Sequence, residues 1–186
     1  YASSYIPTLS QSLSRSRDIV ISYQTFRDSD KVEIIEKESL DFYNEDAGTL
    51  YYEARSTKAT GDSGGGRIGF SYDESNDDRW MVNINSASYD AYIQADGQTS
   101  VNITGTAPGV GVMHKSAIAA TKNDAAVYQN GSQEGTDSSV TMPKINQFRL
   151  YNPTTDGDFL QGHFKKVSYY PARLSNAELQ ALTENN

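Results

Sequence analysis

The densest chemistry in this 186-residue chain lies in the stretch YDESNDDRW, residues 72 to 80. Three aspartates, Asp73, Asp77 and Asp78, stand with Arg79 between two aromatic residues, Tyr72 and Trp80. The segment SYDAY at 88–92 follows and adds Tyr89, Asp90 and Tyr92. Aromatic rings stack on the apolar C–H faces of a sugar, while carboxylates, amides and a guanidinium hold its hydroxyls. The expected ligand contacts are therefore Tyr72, Asp77, Asp78, Arg79 and Tyr92. Tyr92 alternates with Gln94, away from Tyr89, Ala91 and Ile93, which makes it the more exposed ring. Trp80 alternates with Val82 and Ile84 and reads as core. The same aspartates, Asp73, Asp77 and Asp78, are oxygen ligands of the type Ca²⁺ takes, without the spacing of an EF-hand loop. The sequence calls for no cofactor and leaves room for that one ion.

Other arrangements that could do chemistry fail on spacing. GDSGG at 61–65 is the string around the nucleophilic serine of chymotrypsin-type proteases, and such a serine needs a histidine base and an orienting aspartate. The histidines, His114 and His163, both follow Ser63, the reverse of that order, and a Gly-rich hairpin loop accounts for the same letters. A retaining glycosidase needs two carboxylates about 5–5.5 Å apart. Glu36 and Glu38 in EIIEKESLD are two residues apart, but Lys37 stands where an aspartate is expected, so this reads as a solvated edge strand or loop. GTAPGVG lacks the lysine and the strand–helix setting of a phosphate-binding loop. His114 and His163 lie far apart in strand-like segments and read as half-buried residues, not as a metal pair. No catalytic site emerges.

Composition narrows the partners. The chain has 24 acidic and 16 basic residues, a net charge of −8. Such a field repels phosphate backbones and anionic membranes, so nucleic acid and membrane insertion are not expected. There is no cysteine, which excludes disulfides and thiolate metal sites. No apolar run reaches the ~18 residues of a membrane span.

These side chains must be positioned by strands. DIVISY, TLYYEARS, RIGFSY, RWMVNIN, SYDAYIQ, SVNIT, KSAIAAT, AAVYQN, NQFRLY and HFKKVSYY alternate with period two at short intervals. Alternation means one face packed and one wet, as in antiparallel sheets, and so many short strands predict a two-sheet sandwich. Asn130-Gly131 is the clearest hairpin signal, because both central residues of a type I′ turn need positive φ. The first 17 residues are expected to be a polar lead-in from a longer chain, and residues 18–186 to form one domain. At its end Ser175 and Glu178 have the spacing of a capping box, predicting a helix over about 175–183 with Leu174, Leu179 and Leu182 on one side. That helix is expected to close an open end or edge of the sandwich.

The C-terminal third, from KSAIAATKNDAAVYQNG to HFKKVSYYPARLSNAELQAL, resembles the end of concanavalin A-like, laminin G-like jelly-roll domains of bacteriophage tail proteins. Gly162, Tyr169, Tyr170, Pro171, Arg173, Leu174, Ser175, Glu178, Leu179 and Gln180 carry the match, and SSYIPT near the start resembles the opening of the same domains. The usual continuation of that opening is altered to SRSRD at 14–18. The resemblance implies an all-β, two-sheet antiparallel jelly roll with a short C-terminal helix. It also implies a non-catalytic module of a tail fibre or tailspike that binds a bacterial surface glycan. On this reading the module is carried on the virion outside the cell and is homotrimeric through its parent chain. The alternatives are a purely structural module that stabilises a fibre or decorates the virion and, third, a laminarinase-type glycoside hydrolase.

Overall fold

In Tyr89–Ala95 every second side chain, Tyr89, Ala91, Ile93 and Ala95, is buried, and those between are half-buried. That is the signature of a strand with one face in a core and one toward water. The computed structural model describes residues 24–26, 33–34, 40, 42–57, 66–71, 77–84, 89–149 and 162–185. Within them the strands are β1 (Gln24–Phe26), β2 (Glu33–Ile34), β3 (Ala47–Ser56), β4 (Gly66–Ser71), β5 (Arg79–Ile84) and β6 (Tyr89–Ala95). There follow β7 (Gln98–Gly105), β8 (His114–Thr121), β9 (Asp124–Gln129), β10 (Ser132–Asp137), β11 (Gln147–Arg149), β12 (Gly162–Tyr170) and the helix α1 (Asn176–Thr183). The segment DIVISY, residues 18–23, lies outside the described residues.

The strands form two antiparallel sheets of six. Sheet A has the order β1-β12-β3-β8-β9-β10, and sheet B the order β2-β11-β4-β5-β6-β7. The core lies between them: Leu50, Tyr52, Ile118, Val127, Phe164 and Tyr169 of sheet A meet Trp80, Val82, Tyr89, Ile93, Val101 and Phe148 of sheet B. Trp80 is fully buried, as its alternation predicts. EIIEKESLD contributes β2, the outermost strand of sheet B, paired to Phe148 and Arg149. Glu36 and Glu38 themselves lie outside the described residues, as does the GDSGG loop.

On one side the two sheets are tied together. Glu134 Oε2 accepts from the Thr106 amide at 2.8 Å and from its hydroxyl at 3.1 Å, and Ile103 of β7 fills the place where a side chain on Gly135 would go. The β9–β10 hairpin turns on Asn130 and Gly131, with φ of 48° and 81°. A second turn of this kind, Asp96-Gly97 with φ of 50° and 73°, joins β6 to β7 and carries the same Asx-Gly signature. Gly162, one of the residues behind the family resemblance, opens β12 where the Arg55 carbonyl leaves no room for a Cβ.

The terminal helix is built as its sequence predicts and placed differently. Ser175 Oγ accepts from the Glu178 amide at 3.3 Å, and Glu178 Oε2 accepts from the Ser175 amide at 2.7 Å, completing the capping box. The Ser175 hydroxyl, which donates to Glu178 Oε2 at 2.7 Å, and then the Ser175 amide hold the Glu178 carboxyl below its ordinary value. Leu179 is fully buried with Leu174 and Leu182 against Ala117 and Ala119 of β8, Ala126 and Tyr128 of β9, and Tyr51 of β3. The helix therefore lies on the outer face of sheet A, not at an open end or edge. Alanines at these outward positions let it approach the sheet, which leaves β8 and β9 buried on both faces.

Candidate functional site

The outer face of sheet B has no helix packed on it among the described residues, and three strands order its polar groups into rows. Antiparallel register sets Arg79 opposite Gln94, Met81 opposite Tyr92 and Asn83 opposite Asp90 across β5 and β6. Across β6 and β7 it continues the last two rows, Tyr92 to Asn102 and Asp90 to Thr104. Arg79, Met81, Asp90, Tyr92, Gln94, Asn102 and Thr104 alternate with Trp80, Val82, Ala91, Ile93, Val101 and Ile103, all in the core, so period two alone turns them outward. Register also sets Arg67 of β4 opposite Asn83 and Arg149 of β11 opposite Gly69. Three arginine positions thus share these rows in a chain of net charge −8.

Two side chains on this face are in direct contact. The Arg79 guanidinium carbon lies 4.8 Å from the centre of the Tyr92 ring. They sit diagonally across the β5–β6 pair, a separation that long side chains span. Such a cation–π contact contributes about 0.5–1 kcal/mol at a partly exposed site, and here it fixes an aromatic surface beside a cation. Beyond it the Thr104 hydroxyl donates to Asp90 Oδ1 at 2.9 Å, and Asn102 is exposed between them. A half-buried ring, a guanidinium, a carboxylate, an amide and a hydroxyl on a flat scaffold can stack on a ring and bond its substituents. They provide no general acid paired with a nucleophile.

The two aspartates of the sequence-based set have a different setting. They lie just ahead of β5, off the rows. The Asp77 carbonyl accepts from the Gly97 amide at 2.9 Å, and half-buried Asp78 accepts at Oδ1 from the amides of Lys144 at 3.2 Å and Asp96 at 3.4 Å. Asp78 therefore fastens the loop before β5 to the β6–β7 turn and to the segment leading into β11. Asp77 is exposed beside that turn. Tyr72 and Asp73 lie outside the described residues. Among the described residues no group of three or more His, Asp or Glu side chains is arranged to hold a metal ion.

Of the expected contacts, the structure brings Arg79 and Tyr92 together on the face and sets Asp77 and Asp78 at its end. Asn102 and Thr104 were missed by sequence reasoning, although the alternation in SVNIT already sets them opposite Val101 and Ile103. Also missed was a polar group inside the core. His114, expected to be half-buried, is fully buried; its Nε2 is 3.2 Å from the Tyr52 hydroxyl, and the Tyr89 hydroxyl is 2.6 Å from Ser116 Oγ. Burial pushes His114 down from 6.5 to about 4 and raises both tyrosines. A neutral imidazole sealed in the core against Tyr52 is a structural group, out of reach of a substrate. His163 is half-buried on β12, in register with Arg55.

No protein-family model matches the chain, and no curated protein matches it in sequence. Its fold is similar to the CBM40 of the Ruminococcus gnavus IT-sialidase bound to alpha2,3 sialyllactose, with a TM-score of 0.67 at 16% identity over 92% of this chain and 98% of that one. It is also similar to the K499G mutant of the NanB sialidase from Streptococcus pneumoniae, with a TM-score of 0.68 at 13% identity over 89% of this chain and 28% of that one. The binding domain of Paraclostridial Mosquitocidal Protein 1 gives a TM-score of 0.65 at 10% identity, over 90% and 45%. At these identities the likeness is one of fold: a two-sheet, lectin-like jelly roll.

Proposed function

We propose that this chain is a non-catalytic carbohydrate-binding domain that reads a glycan on the outer face of sheet B. The observation behind the reading is the Arg79–Tyr92 pair, an aromatic surface with a fixed cation, held on a flat sheet and flanked by Asp90, Asn102 and Thr104. Tyr92 stacks on a sugar ring, Asn102 and Asp90 bond hydroxyls, and Arg79 donates to an oxygen-rich or acidic substituent. A fold neighbour holds sialyllactose, which agrees with a saccharide as the ligand class. Following the resemblance at the two ends of the chain, the parent is a phage tail fibre or tailspike. Its glycan is on the bacterial surface, the module works outside the cell on the virion, and three copies act together. Copies matter because shallow sugar contacts contribute only about 1 kcal/mol each, and linked sites raise avidity without new contacts. The expected Ca²⁺ ion belongs to the same reading: it would take oxygen ligands from Asp77 and Asp78, which lie just ahead of β5.

The test is binding of the purified domain to a glycan array and to host cells, wild type against Tyr92→Ala. The substitution should lower binding about fivefold or more, in line with loss of one or two such contacts, and the fold should survive because Tyr92 points away from the core. Equal binding by a folded Tyr92→Ala domain would remove the site from this face, and no binding by wild type would favour the structural-module reading. Release of reducing ends from a bound polysaccharide would overturn the non-catalytic assignment.

A further inference from the structure

Asn130-Gly131 is the chain's single Asn-Gly pair. This dipeptide is the one most prone to deamidation, because glycine offers no side chain to obstruct attack by its own amide nitrogen. In that step the Gly131 nitrogen, having lost its proton, bonds to Asn130 Cγ and the side-chain nitrogen leaves as ammonia. Water then opens the succinimide to aspartate or isoaspartate. The step needs only water and base. It also needs a free Gly131 N–H and an Asn130 side chain able to swing its Cγ onto that nitrogen.

The fold withholds both. The Gly131 amide donates to Thr183 Oγ1 at 3.1 Å, and Thr183 is fully buried in the last turn of α1. The Asn130 carboxamide oxygen accepts from the Lys115 amide at 3.0 Å, while the Asn130 amide donates to the Lys115 carbonyl at 2.9 Å. The Lys115 ammonium reaches across to the Glu184 carbonyl at 2.7 Å, just past the helix, and the Glu184 side chain crowds the place where a side chain on Gly131 would begin. The type I′ turn and the end of the helix are thus clamped to each other through one lysine and one threonine. Neither the turn signal nor the helix signal in the sequence contains this contact.

We propose that Asn130 is a spontaneous modification site whose rate is set by the docking of α1. With the helix seated, the Gly131 amide is engaged and the carboxamide is pinned. When its last turn lifts, the turn becomes an ordinary exposed Asn-Gly and deamidates. Isoaspartate there adds a methylene to the backbone of a two-residue turn, which breaks the pairing of Ser132 with Gln129 that begins β10.

The experiment incubates the whole chain at pH 8–9 and follows residue 130 by peptide mass spectrometry and the native charge by isoelectric focusing. Three proteins are compared: wild type, Thr183→Val and Leu179→Ala, with wild type in denaturant as the unprotected reference. Thr183→Val removes the hydrogen bond at nearly constant volume and should raise the rate about five- to tenfold, the worth of one buried hydrogen bond. Leu179→Ala, which weakens docking without touching the turn, should also raise it. Each event adds one negative charge to the −8 of the chain. Wild type reacting as fast as the denatured reference, or both variants reacting as slowly as folded wild type, overturns the proposal.

Discussion

Leu179→Ala tests the docking of the terminal helix most directly. Leu179 is fully buried, although its helix lies on the outside of sheet A, and it packs on Ala117, Ala119, Ala126, Tyr51 and Tyr128. Truncating a buried leucine removes its transfer free energy and leaves a cavity, about 2–5 kcal/mol in well-packed sites. Here the alanine bed cannot move out to fill the gap, but half-buried Leu174 and Leu182 lie at the rim and relax inward. The expected loss is therefore about 2–4 kcal/mol. In a domain of this length 1 kcal/mol shifts Tm by about 2–4 °C, so the variant should melt roughly 4–16 °C below wild type. Scanning calorimetry measures it, and glycan binding well below Tm should not change, since the helix and the outer face of sheet B lie on opposite sides of the core. Removing residues 174–186 should cost more than Leu179→Ala. An unchanged Tm in either variant would refute the docked helix.

Ser175→Ala removes the hydroxyl half of the capping box, leaving the residue 175 amide on Glu178, and should cost about 1 kcal/mol, read as a smaller Tm drop than Leu179→Ala gives. His114 gives a pH dependence whose sign follows from its depressed value. Stability from keeping it neutral is complete above its ordinary value of 6.5 and is lost as pH falls toward about 4. The loss is on the order of 3 kcal/mol at most, and its neighbours Tyr52, Tyr89 and Ser116 do not ionise in that window. Tm measured between pH 7 and pH 4 should fall more steeply for wild type than for His114→Gln, and parallel curves would exclude His114 as the cause. Asp78→Ala should lower Tm more than Asp77→Ala, because Asp78 holds the amides of Lys144 and Asp96. A larger drop for Asp77 would reverse these roles. Chelation should weaken glycan binding if Ca²⁺ occupies the end of β5, and binding indifferent to chelator removes the ion.

Strands β6 and β7 of sheet B were legible because each has one dry and one wet face. Residues 89–95 alternate as written, and so do 101–104. Sheet A was legible only in part. In β3 the pattern sets Tyr51 and Glu53 on the wet side, yet both are buried. The helix covers Tyr51, while Lys166 lies over its ring and Lys165 pairs with Glu53 at 2.7 Å. A period-two rule sees one strand and cannot see a helix from 125 residues later packed on its second face. The placing of β12 between β1 and β3 is likewise a long-range pairing with no local signal, and β1 and β2, three and two residues long, are too short to show a period. Local chemistry did come through. The capping box and the Asn-Gly turn depend on residues at most three apart, and both are formed.

The same division explains the candidate site. A run of acids, an aromatic and an arginine is conspicuous on paper, but neighbours in a strand point to opposite sides, and neighbours in a loop belong to whatever amides come near. Asp78 and Arg79 are adjacent in sequence. The carboxylate is held by amides 18 and 66 residues away, while the guanidinium opens β5 and lies over a ring in the next strand. A surface on a sheet is read across strands, by register, and register is set by the pairing of whole segments. That is why Arg79 and Tyr92 could be nominated from composition, whereas Asn102 and Thr104 join them only once β7 is laid against β6. It also gives a physical reason to place recognition on the rows and not in the acidic loop. The rows are held by two antiparallel ladders over a packed core, with a register shift in β6–β7 only beyond Ile93, so their groups keep fixed spacings. The loop before β5 already uses its best-placed carboxylate to hold itself in position.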